Sequence, residues 1–161
     1  HGFSPYINGQ YLWTQTQSNI QVASSAGVDF LPTKGKEGVQ APKWTATAGI
    51  NYDNGSFFGN LLWKYTGSQW GTFMNDEKMP AYSTFDLSLG YRLPEGLIGK
   101  ESSIRVSATN LGNKPQLATF ASAQTNAVAT TGINGTTILG RTVTYWLGSP
   151  RAIMGTFTVK F

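Results

Sequence analysis

The sequence predicts an all-β fold: an antiparallel meander of about six long strands that forms part of a transmembrane β-barrel. Three observations lead there. Period-2 alternation of apolar and polar residues runs through segments of about 9–12 residues, longer than the 5–6 usual in globular sheets and close to a tilted membrane span. Long and short connections alternate strictly between those segments. Aromatic residues gather at the segment ends.

The first segment, about residues 5–17, sets Ile7, Gly9, Tyr11 and Trp13 on one face and Asn8, Gln10 and Thr14 on the other. The second, 43–53, sets Trp44, Ala46, Ala48, Ile50 and Tyr52 against Thr45, Thr47, Gly49 and Asn51. In the third, 56–66, Phe57, Gly59, Leu61, Trp63 and Tyr65 oppose Phe58, Asn60, Leu62 and Lys64. The fourth, 82–93, places Phe85, Leu87, Leu89, Tyr91 and Leu93 opposite Thr84, Asp86, Ser88, Gly90 and Arg92. The fifth, 102–111, places Ile104, Val106 and Ala108 opposite Arg105, Ser107 and Thr109. The last, 150–161, carries Ile153, Phe157, Val159 and Phe161 on one face and ends the chain on an aromatic residue, as outer-membrane barrels usually end.

Asp53-Asn54-Gly55 reads as a tight hairpin turn, with Asn-Gly expected to supply the positive φ values of a type I′ turn. Residues 94–101 form the other short connection. Residues 18–42, 67–81 and 112–149 form the long ones, so all long loops fall at one end of the sheet. Soluble domains seldom carry structureless loops of this length, whereas outer-membrane barrels pair long extracellular loops with short periplasmic turns. That polarity puts the C-terminus in the periplasm. The β-branched stretches 18–30 and 136–147 would break the alternation as membrane strands, and are expected as loop hairpins or upward strand extensions.

Composition agrees. Only 12% of residues are charged and 13% are aromatic, against roughly a quarter charged in soluble domains. The mean hydropathy of −0.21 fits strands that alternate, and no apolar run approaches the length of a transmembrane helix. Trp44 and Tyr52 lie eight residues apart on one face, roughly 20 Å along the membrane normal after tilt. Trp13, Trp44, Tyr52, Tyr65, Tyr91, Phe157 and Phe161 are therefore expected in two interfacial aromatic girdles facing outer-membrane lipid.

Chemistry is sparse. Cysteine is absent and the single histidine is His1, which reads as a chain boundary or tag remnant. No catalytic site, metal site or cofactor is expected. Asp76 and Glu77 are adjacent in a loop and read as solvated, and Gly132-Ile133-Asn134-Gly135 lacks the strand and helix context of a phosphate loop. The net charge of +4 is spread thinly, with Lys34, Lys36 and Lys43 in and beside a loop, so no nucleic-acid partner is expected. Lys64, Asp86, Arg92 and Arg105 face the lumen, where a structural ion-pair ladder is the expected role. Trp70, Phe73, Phe120, Tyr145 and Trp146 are loop aromatics that would either touch a ligand at the mouth or pack the loops on one another.

Six strands do not close. An open sheet in lipid would strand two edges of backbone groups at several kcal/mol each, so further strands are expected N-terminal to His1. Three stretches resemble the TonB-dependent outer-membrane receptors of Gram-negative bacteria: Lys78-Met79-Pro80-Ala81-Tyr82-Ser83-Thr84-Phe85-Asp86, Ile104 to Asn110-Leu111, and Ser149-Pro150-Arg151 leading into the last strand. Val39 to Trp44 and Tyr65-Thr66-Gly67 match more weakly. Gly112-Asn113 departs from the pattern, which commonly has Phe-Asp there. The resemblance implies a barrel of about 22 strands, of which these are the last six. It also implies a plug domain and a TonB box, absent from this chain, that engage the TonB-type energy-transducing complex of the inner membrane. A barrel assembly machinery would read the C-terminal strand, and the activity implied is active uptake of a siderophore, cobalamin or oligosaccharide. Two alternatives stay open: a small autonomous outer-membrane barrel, with membrane-length strands in 18–42 or 112–149, and a soluble β-sandwich carbohydrate-binding module, with its apolar strand faces buried on each other.

Overall fold

A computed structural model describes residues 2–24 and 26–160; Phe161, one of the expected girdle residues, and His1 lie outside them. The chain forms β1 (Gly2–Tyr11), β2 (Ile20–Ser24), β3 (Gly27–Leu31), β4 (Trp44–Asp53), β5 (Phe57–Thr66), β6 (Gln69–Trp70), β7 (Lys78–Met79), β8 (Tyr82–Arg92), β9 (Lys100–Thr109), β10 (Leu117–Phe120), β11 (Thr130–Thr131), β12 (Thr137–Ile138), β13 (Tyr145–Leu147) and β14 (Ala152–Lys160). β1, β4, β5, β8, β9 and β14 make one six-stranded sheet in that order, with every neighbouring pair antiparallel. The remaining strands pair two by two within the long connections. Residues 18–42 thus hold the β2–β3 hairpin, and 112–149 hold strands of two to four residues. None reaches membrane length, which removes the small autonomous barrel.

Register converts the alternation of each strand into rows across the sheet. Pro5, Ile50, Leu61, Leu87, Ala108 and Ile153 align on one face. Phe57, Tyr91, Ile104 and Phe157 form another row nearer the short turns. Ser4, Asn51, Asn60, Ser88, Ser107 and Met154 align on the opposite face. A one-residue slip in any strand would move its apolar set to the wrong side. The apolar face has nothing packed on it: Ile7, Phe57, Leu89, Val106 and Ile153 are all exposed. A β-sandwich would have buried these side chains on a second sheet, and that reading falls.

Two local readings change in detail. β1 begins three residues earlier than expected and leaves the sheet after Tyr11. Beyond it the Leu12 amide donates to the Lys43 carbonyl and that of Thr16 to Lys36, with a bridge between Gln15 and Glu37. The turn after β4 is not type I′, because Gly55 has φ 92° while Asn54 is absent from the positive-φ residues. Asn54 instead accepts the Phe57 amide on its side-chain oxygen, and Asp53 accepts that of Gly55. Two side-chain caps thereby close a wider connection, residues 54–56, with only one left-handed residue.

Aromatic rings do gather at the strand ends. Phe3–Tyr52 and Phe57–Tyr91 pair across strands at the short-turn end, with centroids 4.7 and 4.8 Å apart. Tyr11–Trp44 pair at 4.7 Å at the long-loop end. Trp13 and Phe157 are exposed, while Tyr65 and Tyr91 are half-buried against strand neighbours.

Candidate functional site

The buried apolar side chains among the described residues are Leu31, Met79, Phe120 and Ile138. All four belong to strands of the long connections, so the core of this chain is a loop cluster rather than the sheet. Each such side chain stabilises the cluster by about 1.5–3 kcal/mol when fully withdrawn from water. What aligns the loops is a set of carboxylates and amides reaching from one connection into the next.

Asp29 on β3 is fully buried. Its carboxylate accepts the Thr136 hydroxyl at 2.5 Å, and the amides of Asn134, Thr136 and Phe30 at 2.9, 3.1 and 2.6 Å. The Thr136 hydroxyl above all, with the three amides, holds its pKa down to about 2 against the opposing effect of burial. Residues 132–136, including the Gly-Ile-Asn-Gly stretch that has no phosphate-loop context, therefore do wrap an anion. The anion is a carboxylate of the same chain. Gly132 is required there, since a Cβ would run into the Asp29 carboxylate.

Asp76 and Glu77 are not simply solvated either. Burial pushes the Asp76 pKa up, yet the Thr72 hydroxyl and the amides of Ala127 and Val128 bring it below the usual carboxylate range. Glu77 accepts the Tyr145 hydroxyl. Burial, then that bond, pushes the tyrosine up to about 12, so it stays a neutral donor. Glu37 accepts Lys43 at 2.6 Å and the Trp70 indole N–H at 3.1 Å, and the Lys43 bond chiefly holds its pKa low. Asn75, in the left-handed region at φ 54°, donates to the Glu37 carbonyl and accepts the Glu37 amide.

The five loop aromatics do not converge on one pocket. Trp70 is half-buried, held by Glu37 on its indole nitrogen and by Lys78 4.8 Å from its ring centroid. Phe73 is half-buried, and its amide donates to the Gln124 carbonyl. Phe120 is 2% exposed and packs at 5.1 Å on Tyr145. Trp146, by contrast, is 63% exposed. Asp29 and its cradle escaped sequence reasoning. The available signal was an acidic residue between Val28 and Phe30 in a loop, and a turn rich in amide donors, but the two lie over a hundred residues apart.

On the polar face, Lys64 pairs with Asp86 at 2.6 Å and Arg92 with Asp53 at 2.7 Å, two rungs of the expected ion-pair ladder. Asp86 also accepts the Asn110 amide. Asn110 is buried at φ 47°, and its side chain donates to the carbonyls of Lys114 and Ser149. The Asn of the Asn-Leu pair therefore fastens the top of β9 to both ends of the long connection that follows. Arg105 has no carboxylate partner among the described residues and lies over the Phe58 ring at 5.0 Å.

The family profile described as TonB dependent receptor-like, beta-barrel matches residues 5–111, more than half of the chain. The chain belongs to that family. Comparison with curated protein sequences returns no match. Among solved structures the chain is similar to the ferric citrate transporter FecA in its unliganded form, at TM-score 0.69 and 14% identity over 99% of this chain and 21% of that one. It is similar to the siderophore receptor PiuA from Acinetobacter baumannii, at TM-score 0.68 and 15% identity over 97% and 19%. The ferric yersiniabactin uptake receptor FyuA from Yersinia pestis gives TM-score 0.58 and 16% identity over 96% and 20%. Identities this low show the fold, and the chain spans about a fifth of each of these proteins. As part of a TonB-dependent receptor barrel, the sheet is a piece of outer-membrane wall.

Proposed function

We propose that this chain is the C-terminal wall segment, with its surface loops, of a receptor that takes up a scarce nutrient across the outer membrane with energy from a TonB-type complex. The observation that carries this reading is an apolar face in register across six strands with no second layer packed over it, within a chain of this family. In this reading the long-loop end is extracellular and β14 ends on the periplasmic side, where the barrel assembly machinery would recognise it. Trp13, Trp44, Tyr52, Tyr65, Tyr91 and Phe157 sit at headgroup level. A plug domain fills the lumen and carries the contact with TonB.

The first substrate class to test is a ferric chelate, because the structurally similar proteins are named for ferric citrate, a siderophore and ferric yersiniabactin; cobalamin and oligosaccharides follow. Trp146 is the loop aromatic free to meet ligand. Trp70, Phe73, Phe120 and Tyr145 hold the loops in shape around it. The intact receptor, expressed in a strain stripped of its own ferric receptors, should import iron-radiolabelled chelates only when TonB is present. Uptake at the same rate without TonB would overturn the active-transport reading. Import of cobalamin or an oligosaccharide instead would keep it and replace the substrate class.

A further inference from the structure

Charge is lopsided towards the end of the chain. Residues 102–161 carry Arg105, Lys114, Arg141, Arg151 and Lys160 but no Asp or Glu. Two of these cations are brought together at the top of the wall. Asn110 donates to the carbonyls of Lys114 and Ser149 at 3.0 and 3.1 Å, and Asn113 accepts the Arg151 amide at 3.0 Å. The two ends of the longest connection are thereby clamped, one carrying Lys114 and the other Arg151. Both residues are exposed, and neither has an ion pair among the described residues. The same clamp sets residues 114–116 against the apolar face. Lys114, Pro115 and Gln116 border a cavity of about 320 Å³ that is also lined by Tyr65 and Ser83. Those two are paired across strands on the face that carries Trp63, Phe85 and Leu87, and Tyr65 stands one row below the Tyr11–Trp44 pair. Two further cavities, of about 270 and 520 Å³, share Pro115, Gln116 and Leu147. Leu147 is 79% exposed. An apolar cleft with two unpaired cations at its rim thus lies on the outer side of the wall.

We propose that this cleft binds a phosphate-bearing lipid of the outer leaflet, with Lys114 and Arg151 on the phosphate and an acyl chain against Pro115 and Leu147. This rests on the receptor reading above, which sets the apolar face in lipid and the long-loop end outside the cell. In that frame Tyr65 lies at headgroup level, where the polar and apolar parts of a lipid meet. A guanidinium grips phosphate oxygens bidentately, and an ammonium on a flexible stem adds a point charge beside it. Clustered basic side chains at the level of anionic headgroups attract them. No acidic residue of the last third of the chain competes for the two cations. Asp86, which reaches the Asn110 amide, is already paired with Lys64. A water-soluble anion would leave Pro115 and Leu147 uncovered, whereas an acyl chain withdraws them from water.

The test uses the intact receptor in vesicles of phosphatidylethanolamine doped with bis-phosphorylated lipid A, the lipid retained through detergent exchange being counted by mass spectrometry. The wild-type receptor should keep lipid A and should release the dephosphorylated form, a comparison that needs no variant. The double variant Lys114→Gln, Arg151→Gln should retain roughly tenfold less lipid A or lower still, and Leu147→Ser should also retain less. Heat-modifiable mobility shows that each variant has folded. Leu87→benzoylphenylalanine, lower on the same face, reports by photo-crosslinking whether the wall meets acyl chains at all. Crosslinks to lipid at Leu87, together with equal retention of the two lipid A forms or equal retention by the double variant, overturn the proposal and leave the receptor reading standing. Binding of inorganic phosphate alone as tightly as lipid A also overturns it, since the site would then be for a free anion. No lipid crosslink at Leu87 overturns both.

Discussion

Asp29 shows how much one side chain can organise. It lies at the centre of a turn whose amides and hydroxyl converge on its two oxygens, and hydrogen bonds to an ionised acceptor are roughly twice as strong as neutral ones. Asp29→Asn keeps the volume but replaces one acceptor oxygen by a donor facing donors. Amide exchange at Asn134 and Thr136 should quicken by roughly tenfold or more, while the amides of β5 and β8 hold their rates. Unchanged exchange at both turn residues would show that the carboxylate does not hold the loop. The acid response has a definite sign. Folding lowers the Asp29 pKa from 3.8 to about 2, so its stabilisation is complete above the higher value and is lost as pH falls through the lower one. Protection of the turn should persist at about pH 5 and disappear between about pH 4 and 2. Loss already near neutral pH would assign the latch to another group.

At the scale of elements, the wall strands were legible because a half-exposed strand writes its two environments at period 2. Ile50, Leu61 and Leu87 read as one face before any register was known, and the register aligns them. The turn after β4 was misread in type because Asn-Gly admits two solutions. The side-chain oxygens of Asp53 and Asn54 capture amides that a type I′ turn would have left to the backbone. The loop cluster was illegible for a different cause: its aromatics carry no periodicity, and contacts such as Tyr145–Glu77 and Trp70–Glu37 join separate connections. Of the five aromatics read as either ligand contacts at the mouth or packing between the loops, Phe120 is part of the only apolar core that the described residues contain. The face assignment itself can be tested at adjacent residues of β8. In the intact receptor, Leu87→Arg would place a charge near the middle of the lipid face and cost about 2–4 kcal/mol, whereas Ser88→Arg would point inward and cost under about 1 kcal/mol. Denaturant midpoints of the receptor folded into lipid vesicles measure both. Equal losses would mean that the two faces meet the same environment.

The whole molecule is held together in two different ways at its two ends. The loop cluster buries apolar side chains on one another as a small soluble domain does. The sheet fully buries no apolar side chain among the described residues and depends on ladder hydrogen bonds, with lipid as the solvent of its apolar rows in the proposed reading. That division makes closure the controlling requirement, because β1 and β14 each pair on one side only. In hydrocarbon each unsatisfied backbone group costs several kcal/mol, more in sum than the marginal stability of about 5–15 kcal/mol that a folded domain possesses. Residues 1–161 expressed alone with an outer-membrane targeting signal should therefore fail to acquire heat-modifiable mobility and should be degraded or aggregate. Co-expression with the upstream barrel strands as a separate chain should restore it, because β1 and β14 would then find partners. A folded, heat-modifiable species from the short chain alone would require β1 and β14 to pair with each other or with further copies, and would refute the wall-segment reading.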